Sequence, residues 1–188
     1  MVNSPGLEVA IFGGSFDPPH AGHQQIVEAC ISQLDIDRLI ILPAYLNPFK
    51  SGSLADANMR LQWCRALFGT LPNVIVSDYE IQQGRSVKTA ESIKYFQKFY
   101  RVKYLVIGAD NLSTLTKWHD FAWLNEQITW VIVSRPGYAI ETDALRNWRL
   151  LTLNVPVSSS QIRQGQDVSS VDTKIAPSVK EILKGNNI

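Results

Sequence analysis

At 188 residues the chain is long enough to bury a substantial core in one domain and somewhat short for two independent ones. Lysine and arginine total 18 against 17 aspartates and glutamates, interspersed along the chain, so a formal charge of +1 creates no broad field for DNA, RNA or an anionic membrane. No apolar run approaches the roughly 18 residues of a membrane span, and Met1-Val2-Asn3-Ser4-Pro5 lacks the basic and apolar regions of a secretory leader. A single-domain, soluble, cytoplasmic protein is expected, with small phosphorylated ligands served by a local cationic site. Cys30 and Cys64 fall on the apolar faces of predicted helices, which reads as two buried thiols in a reducing compartment rather than a disulfide.

Short apolar runs alternate with helical patterns, which predicts an α/β fold: an open parallel sheet with helices on both faces. The first strand, Glu8 to Phe12, runs into Gly13-Gly14-Ser15-Phe16-Asp17-Pro18-Pro19-His20-Ala21-Gly22-His23. The glycines lack Cβ, can take φ > 0, and let a ligand approach the backbone. Pro18 and Pro19 keep the chain extended until about His20. A helix from Ala21 to Leu34 then carries Val27, Cys30, Ile31 and Leu34 on one stripe, which places His20 and His23 at its first turn. Free N–H groups and the positive end of the helix dipole favour phosphate there, and Gly22 keeps the space between the imidazoles open.

The second strand, Arg38 to Leu42, leads into a loop in which Lys50 could neutralise a phosphate or simply be solvated. A helix over Ala55 to Phe68 carries Leu61, Cys64 and Phe68 on one stripe, with Pro72 closing it, and the third strand covers Asn73 to Ser77. A helix over Thr89 to Tyr100 carries Ala90, Ile93, Phe96 and Tyr100, with Thr89 as a candidate cap. The fourth strand, Tyr104 to Ile107, ends in Gly108-Ala109-Asp110, where Gly108 permits close ligand approach and Asp110 could accept from ribose hydroxyls or cap the next helix. Trp118 follows on a short helix, as core or as a ligand contact. Strand five, Thr129 to Val133, precedes Arg135-Pro136-Gly137-Tyr138, a rigid turn with an arginine that could bind or lie on the surface. After a weaker strand at Leu151 to Leu153, the stretch Val157 to Arg163 offers serine hydroxyls that cap amides or donate to phosphate, and a fixed charge at Arg163. The last helix starts at Pro177, presents Val179, Ile182 and Leu183, and ends at Gly185. Ligands bind such sheets outside the carboxyl ends of the strands, at the switch point, so the segments after strands one, two, four and five can face one crevice.

Two histidines three apart could also be zinc ligands, but a closed site needs further partners, and only His119, Cys30 and Cys64 remain as histidine or cysteine. The loop lacks the closing glycine of a nucleophile elbow, and neither GxGxxG nor GxxxxGK occurs. Gly13 to His23 resembles the GGSFDPxHxGH signature of the nucleotidylyltransferase superfamily, and specifically of the bacterial nicotinate-nucleotide adenylyltransferases of NAD biosynthesis. Val157 to Arg163 resembles ISSTxIR, with Ser160 where the family has threonine. Gly108 to Asp110 resembles the GAD turn, and Arg135 to Tyr138 is similar to RPGY. Asn47-Pro48-Phe49-Lys50 sits where the family has a PPHKP-like loop, with Phe49 in place of histidine. The least regular match is Ser86 to Ser92 against SYTxDT, where one extra residue separates Ser86 from Thr89 and no tyrosine precedes Thr89.

The resemblance implies a Rossmann-like nucleotidyltransferase fold and adenylyl transfer from ATP to nicotinate mononucleotide. Gly13, Gly14, Ser15, Phe16, Gly22, Gly108, Asp110, Ser159, Ser160 and Ile162 would bind ATP. Lys50, Thr89, Trp118 and Arg135 would hold the acceptor, with the Trp118 ring against the pyridine and Thr89, with the acid Glu91 nearby, close to its carboxylate. His20, His23 and Arg163 would be catalytic: the histidines on the phosphates, His23 in the transition-state contact, and Arg163 with Ser160 on the leaving pyrophosphate. No covalent intermediate is required, so alignment and charge stabilisation supply the rate. Mg²⁺ would arrive on ATP oxygens, because magnesium keeps its waters and uses substrate phosphates as ligands; Asp17 could touch its shell. No nucleic acid or membrane partner is implied, and a homo-oligomer is compatible with the sequence. The alternatives keep the chemistry and change the acceptor to nicotinamide mononucleotide or phosphopantetheine, or keep ATP binding without turnover. Retention of both histidines and Arg163 argues against the last.

Overall fold

The computed structural model describes residues 6–46, 53–151, 153, 159–165 and 168–185. Its strands are β1 (Glu8–Gly14), β2 (Arg38–Pro43), β3 (Val74–Val76), β4 (Arg101–Gly108), β5 (Thr129–Val133) and β6 (Trp148–Leu151). They form one parallel sheet in the order β3-β2-β1-β4-β5-β6. Parallel neighbours require crossover connections. These contain α1 (Ala21–Gln33), α2 (Ala57–Phe68), α3 (Tyr79–Gln82), α4 (Thr89–Phe96), a 3-10 helix (Ala109–Lys117) and α5 (Phe121–Gln127), while α6 (Ser159–Gly165) and α7 (Ala176–Gly185) follow β6.

Strand alternation divides the core into two layers. On one face Ala10 and Phe12 of β1 pack with Val27 and Cys30 of α1, Trp63, Cys64 and Phe68 of α2, and Val179 and Leu183 of α7. On the other, Val9 and Ile11 pack with Ile93 and Phe96 of α4, Leu115 of the 3-10 helix and Leu124 of α5. Covering both faces of the central strands is why they read as near-continuous apolar runs. Trp130 is fully buried and its one polar atom is satisfied, Nε1 donating to Asn125 Oδ1 at 2.9 Å. Both cysteines are buried free thiols, and burial pushes Cys30 up to about 12 and Cys64 above the ordinary thiol range.

Several boundaries differ from the pattern for local reasons. β4 starts at Arg101 rather than Tyr104, because its polar beginning is neutralised: Arg101 lies 3.0 Å from Glu8, and Lys103 bridges Glu8 at 2.8 Å and Asp35 at 3.0 Å. β6 starts at Trp148 and stops at Leu151, an edge strand that leaves Trp148 and Leu150 exposed. α2 starts after Asp56, whose Oδ1 accepts from Met59 N–H at 2.8 Å, and it ends at Gly69 before Pro72 acts. α4 begins with Thr89 as its first residue, Lys88 being the cap position, so Thr89 does not cap it. That helix gives way after Phe96 to tighter turns, with Phe99 N–H on Phe96 O at 3.0 Å.

The chain builds from β1 outward to β2 and β3, then returns to place β4 on the free side of β1. Connections leaving β1 and β4 therefore diverge, and a crevice opens between the glycines that end them, Gly14 and Gly108. A loss of the Asp56 cap tests the local account of α2. Asp56→Ala should cost about 1 kcal/mol and lower Tm by about 2–4 °C in a thermal melt, the scale of one lost N-cap in a chain of this size.

Candidate active site

A cleft of about 1000 Å³ opens at this crevice. Gly13, Gly14, Ser15, Phe16, His20 and His23 line one part of it, and Thr89, Gly108, Asp110, Trp118, Arg135 and Ser159 line the rest. Segments far apart in sequence thus meet as their spacing along the strands implies. Lys50 and Ser158 lie outside the described residues. Ile162 does not reach the cleft surface; it is 2% exposed and belongs to the core beneath α6.

Gly13 and Gly14 both line the cleft, and neither uses the left-handed freedom of glycine. Both continue β1 in extended conformation, and the left-handed residue of the loop is Phe16, at φ 49°. Gly14 is small because of Phe16: a Cβ there would lie 3.2 Å from its ring. That ring, 1% exposed, is edge-on to Phe12 at 5.4 Å and sits 4.9 Å from the His23 ring, so it forms a floor for the histidine. At Gly13 a Cβ would meet only Leu42 O at an ordinary 3.8 Å.

His20 is the N-cap of α1 and His23 its third residue, and the two cap the helix reciprocally. Gly22 N–H donates to His20 Nδ1 at 3.1 Å, and His20 N–H donates to His23 Nδ1 at 3.2 Å. A capping box ordinarily built from a hydroxyl and a carboxylate is here built from two imidazoles. Each Nδ1 is an acceptor, so each neutral ring carries its proton on Nε2. Two expectations change. The imidazoles are in contact, with centroids 3.9 Å apart, so Gly22 does not hold a gap between them but supplies a capping N–H. Nor are the first amides of α1 free: Ala21 N–H donates to Ser170 O at 2.8 Å, and His23 and Gln24 N–H donate to His20 O at 2.8 and 3.2 Å. An anion here would meet imidazole Nε2–H groups, with the helix dipole still favouring it. Burial, and then the charge of Arg135, lowers His20 to about 4, so at neutral pH it donates without carrying charge.

The start of α6 docks on the same loop. Ser159 Oγ donates to Pro18 O at 2.9 Å, and Arg163 Nη1 donates to Asp17 O at 2.5 Å, 3.8 Å from Asp17 Oδ2. Arg163 therefore joins α6 to the loop, and it is not among the residues lining the cleft. Asp17 is 3% exposed, and its carboxylate accepts from Leu54 N–H at 2.7 Å and Ala55 N–H at 3.0 Å. These bonds tie the Asp17 carboxylate to the entry of α2.

The far end of the cleft is less completely satisfied. A Cβ on Gly108 would run into Asp110 Oδ1 and come within 3.0 Å of Arg135 Nε, so the glycine makes room for this pair. Asp110 Oδ1 stands 3.3 Å from Arg135 Nε, at ion-pair distance but without hydrogen-bond geometry, and this buried oxygen has no hydrogen-bond partner. Gly108, not Asp110, occupies the cap position of the 3-10 helix, and no side chain caps that helix. Trp118 ends it, half-buried and edge-on to Trp130 at 6.3 Å, with Nε1 buried and unpartnered. Glu91 does not line the cleft and pairs instead with Arg85, whose Nη1 lies 3.2 Å from Oε2.

Three charged lining residues escaped the sequence reading. Lys88 and Lys117 add charge near Thr89 and Trp118. Glu80, 8% exposed, accepts from Ser92 Oγ at 2.7 Å; burial, opposed by that bond and reinforced by Glu91, pushes its carboxyl up to about 7. It lies in α3, a single turn too short for periodicity to reveal, and its only signal was a carboxylate between Tyr79 and Ile81.

The cap and the buried acid each make a measurable claim. His20→Asn can present Oδ1 to Gly22 N–H and should hold Tm near the parent's, whereas His20→Ala should lose about 1 kcal/mol in a denaturant titration; equal losses would exclude the cap. Glu80 has its folded pKa above the ordinary 4.5, so its contribution is present below that pH and is lost as pH rises through about 7. Glu80→Gln should therefore melt several degrees above the parent at high pH, with the gain fading toward acid; parallel Tm-against-pH curves would contradict this.

Comparisons with known proteins agree with the geometry. The cytidylyltransferase-like family matches residues 11–165. A protein of Sulfurovum sp. (strain NBC37-1), described as a probable nicotinate-nucleotide adenylyltransferase, is 58% identical over 184 residues, covering 98% of each chain. A protein of Campylobacter fetus subsp. fetus (strain 82-40) with the same description is 42% identical over 183 residues, 96% of this chain and 99% of the other. The solved structure of Plasmodium falciparum nicotinic acid mononucleotide adenylyltransferase complexed with NaAD shares the fold, with a TM-score of 0.75 over 96% of both chains at 17% identity. With the paired histidines at the switch point and near full-length matches on either side, the chain belongs to the nicotinate-nucleotide adenylyltransferases, within the cytidylyltransferase-like family.

Proposed function

We propose that this chain transfers the adenylyl group of ATP to nicotinate mononucleotide, forming nicotinate adenine dinucleotide and pyrophosphate in NAD biosynthesis, within one cytoplasmic nucleotidyltransferase domain. The observation that carries the reading is the imidazole pair held as Nε2 donors at one end of a cleft whose other end offers Trp118 and the Arg135–Asp110 pair, with Asp110 Oδ1 making no hydrogen bond. The name borne by a relative 58% identical over nearly the whole chain supports the acceptor.

In this reading an oxygen of the acceptor phosphate attacks the α-phosphorus of ATP. The new P–O bond forms as the bond to the β-phosphate's bridging oxygen breaks, and the electron pair leaves with pyrophosphate. The chain contributes alignment and donors. His20 and His23 donate from Nε2 to phosphate oxygens, with His23 making the contact that strengthens in the transition state. The backbone of Gly13, Gly14 and Ser15 borders the nucleotide, and Asp110 accepts from its ribose. Ser160 and Arg163 hold the leaving pyrophosphate, and Arg163 also fixes its helix to the loop through Asp17 O. Trp118 stacks on the pyridine, Thr89 lies near its carboxylate, and Arg135 and Lys50 neutralise the acceptor phosphate. A divalent cation, Mg²⁺, would enter as part of the ATP substrate, because magnesium keeps its waters and uses substrate phosphates as ligands.

Pyrophosphate release from ATP and nicotinate mononucleotide tests the reaction, with nicotinamide mononucleotide and phosphopantetheine as parallel acceptors. His23→Asn keeps an acceptor for His20 N–H and removes the Nε2 donor, so it should slow turnover by roughly 10²–10³-fold, the scale of a lost oxyanion donor. Unchanged turnover would exclude His23 from the reacting phosphates. ATP binding with no pyrophosphate from any acceptor would favour a nucleotide sensor.

A further inference from the structure

We infer that Arg60, which does not touch the cleft, is a positioning residue: its guanidinium sets the phosphate loop against the exit of β2, and adenylyl transfer depends on it through alignment. The parallel ladder between β1 and β2 ends at Gly14 and Pro43, with one further bond from Ala44 N–H to Gly14 O at 2.9 Å. Beyond that point the two chains would part. Arg60 continues the connection: Nη1 donates to Ser15 O and Ala44 O, both at 2.7 Å, Nη2 donates to Tyr45 O at 2.7 Å, and Nε donates to Ala55 O at 3.2 Å. Ser15 and Ala44 both line the cleft. Because they accept from one nitrogen, neither backbone can shift without breaking a bond.

Asp17 braces the same region from the other side. Ala55 has its N–H on Asp17 and its carbonyl on Arg60, so the entry to α2 is held by both. Arg60 is 1% exposed and shares the buried stripe of α2 with Cys64 and Leu67. An apolar residue would satisfy that stripe without taking a cation out of water. Only a planar fork with several donors can span these carbonyls, which lysine's single nitrogen cannot reproduce.

This rests on the adenylyl-transfer reading, and the parent protein separates the two. Pyrophosphate release is measured for the parent, Arg60→Lys and Arg60→Met, with each substrate varied in turn. Displacement of aligned groups should lower kcat by about 10-fold in Arg60→Lys and on the order of 10²-fold in Arg60→Met, with each KM within about threefold of the parent's. Hydrogen exchange in Arg60→Lys should quicken at residues 14–17 and 44–46 while α7 stays as in the parent, a pattern that general destabilisation does not give. A silent parent overturns the reading and the inference together. With an active parent, kcat of a folded variant within about twofold of it, a loss carried by KM alone, or exchange raised evenly across the sheet overturns the inference only. If Arg60→Met does not fold, Arg60→Lys decides, and its failure to fold would mark Arg60 as a stability residue and overturn the positioning role.

Discussion

The two hydrogen bonds from backbone amides to imidazole Nδ1 atoms at the start of α1 set what the cleft can do. They are local, spanning two and three residues, yet they determine the tautomer of both rings and the entry angle of the helix. A histidine free to rotate or to exchange tautomers would offer a phosphate an acceptor as readily as a donor. Here the choice is made before any ligand arrives, so little reorganisation remains for the chemical step. The floor under His23 serves the same end: Phe16 accepts a left-handed backbone, and Gly14 gives up its side chain, so that one ring can support another.

The two ends of the cleft are built on opposite principles. Around the histidines nearly every polar group already has a partner: Asp17 takes two amides, Ser159 and Arg163 take two carbonyls, and the first amides of α1 are occupied. At the other end Asp110 Oδ1 and Trp118 Nε1 are buried without hydrogen bonds. Leaving a buried donor such as Trp118 Nε1 without a hydrogen bond costs roughly 1–3 kcal/mol, a cost that a ligand with a matching acceptor removes on binding, whereas Asp110 Oδ1 keeps the Arg135 charge 3.3 Å away. Under the proposed reading, a rigid end at the histidines and a less satisfied end at Trp118 suit a reaction in which positions at phosphorus must be held closely while the acceptor supplies much of its own recognition energy.

The sheet converts these local devices into one site. Its order places β1 and β4 side by side with connections leaving in opposite directions, so the GGS loop and the GAD turn face each other although nearly a hundred residues lie between them. α6 then joins the arrangement by binding the carbonyls of Asp17 and Pro18.

The sequence by itself determined the parallel α/β architecture, because strands buried on both faces must be apolar throughout, and it determined that His20 and His23 stand at a helix start. It also marked Gly108, Asp110 and Arg135 as neighbours of one crevice, since each follows the carboxyl end of a strand, while Trp118 was reached only through the family resemblance. The tertiary structure alone decided which polar groups face the ligand and which hold the frame. Asp17 and Arg163 look like ligand contacts in the chain, and folding gives both of them backbone partners from distant segments: two amides for Asp17 and the Asp17 carbonyl for Arg163. Glu80 reaches the cleft from a one-turn helix that periodicity cannot register, and Arg60 lies on an apolar stripe where its four carbonyl partners come from segments that only folding brings together. Hydrogen-bond partners depend on distance in space, and a linear pattern of residue types carries that information only within a turn or two.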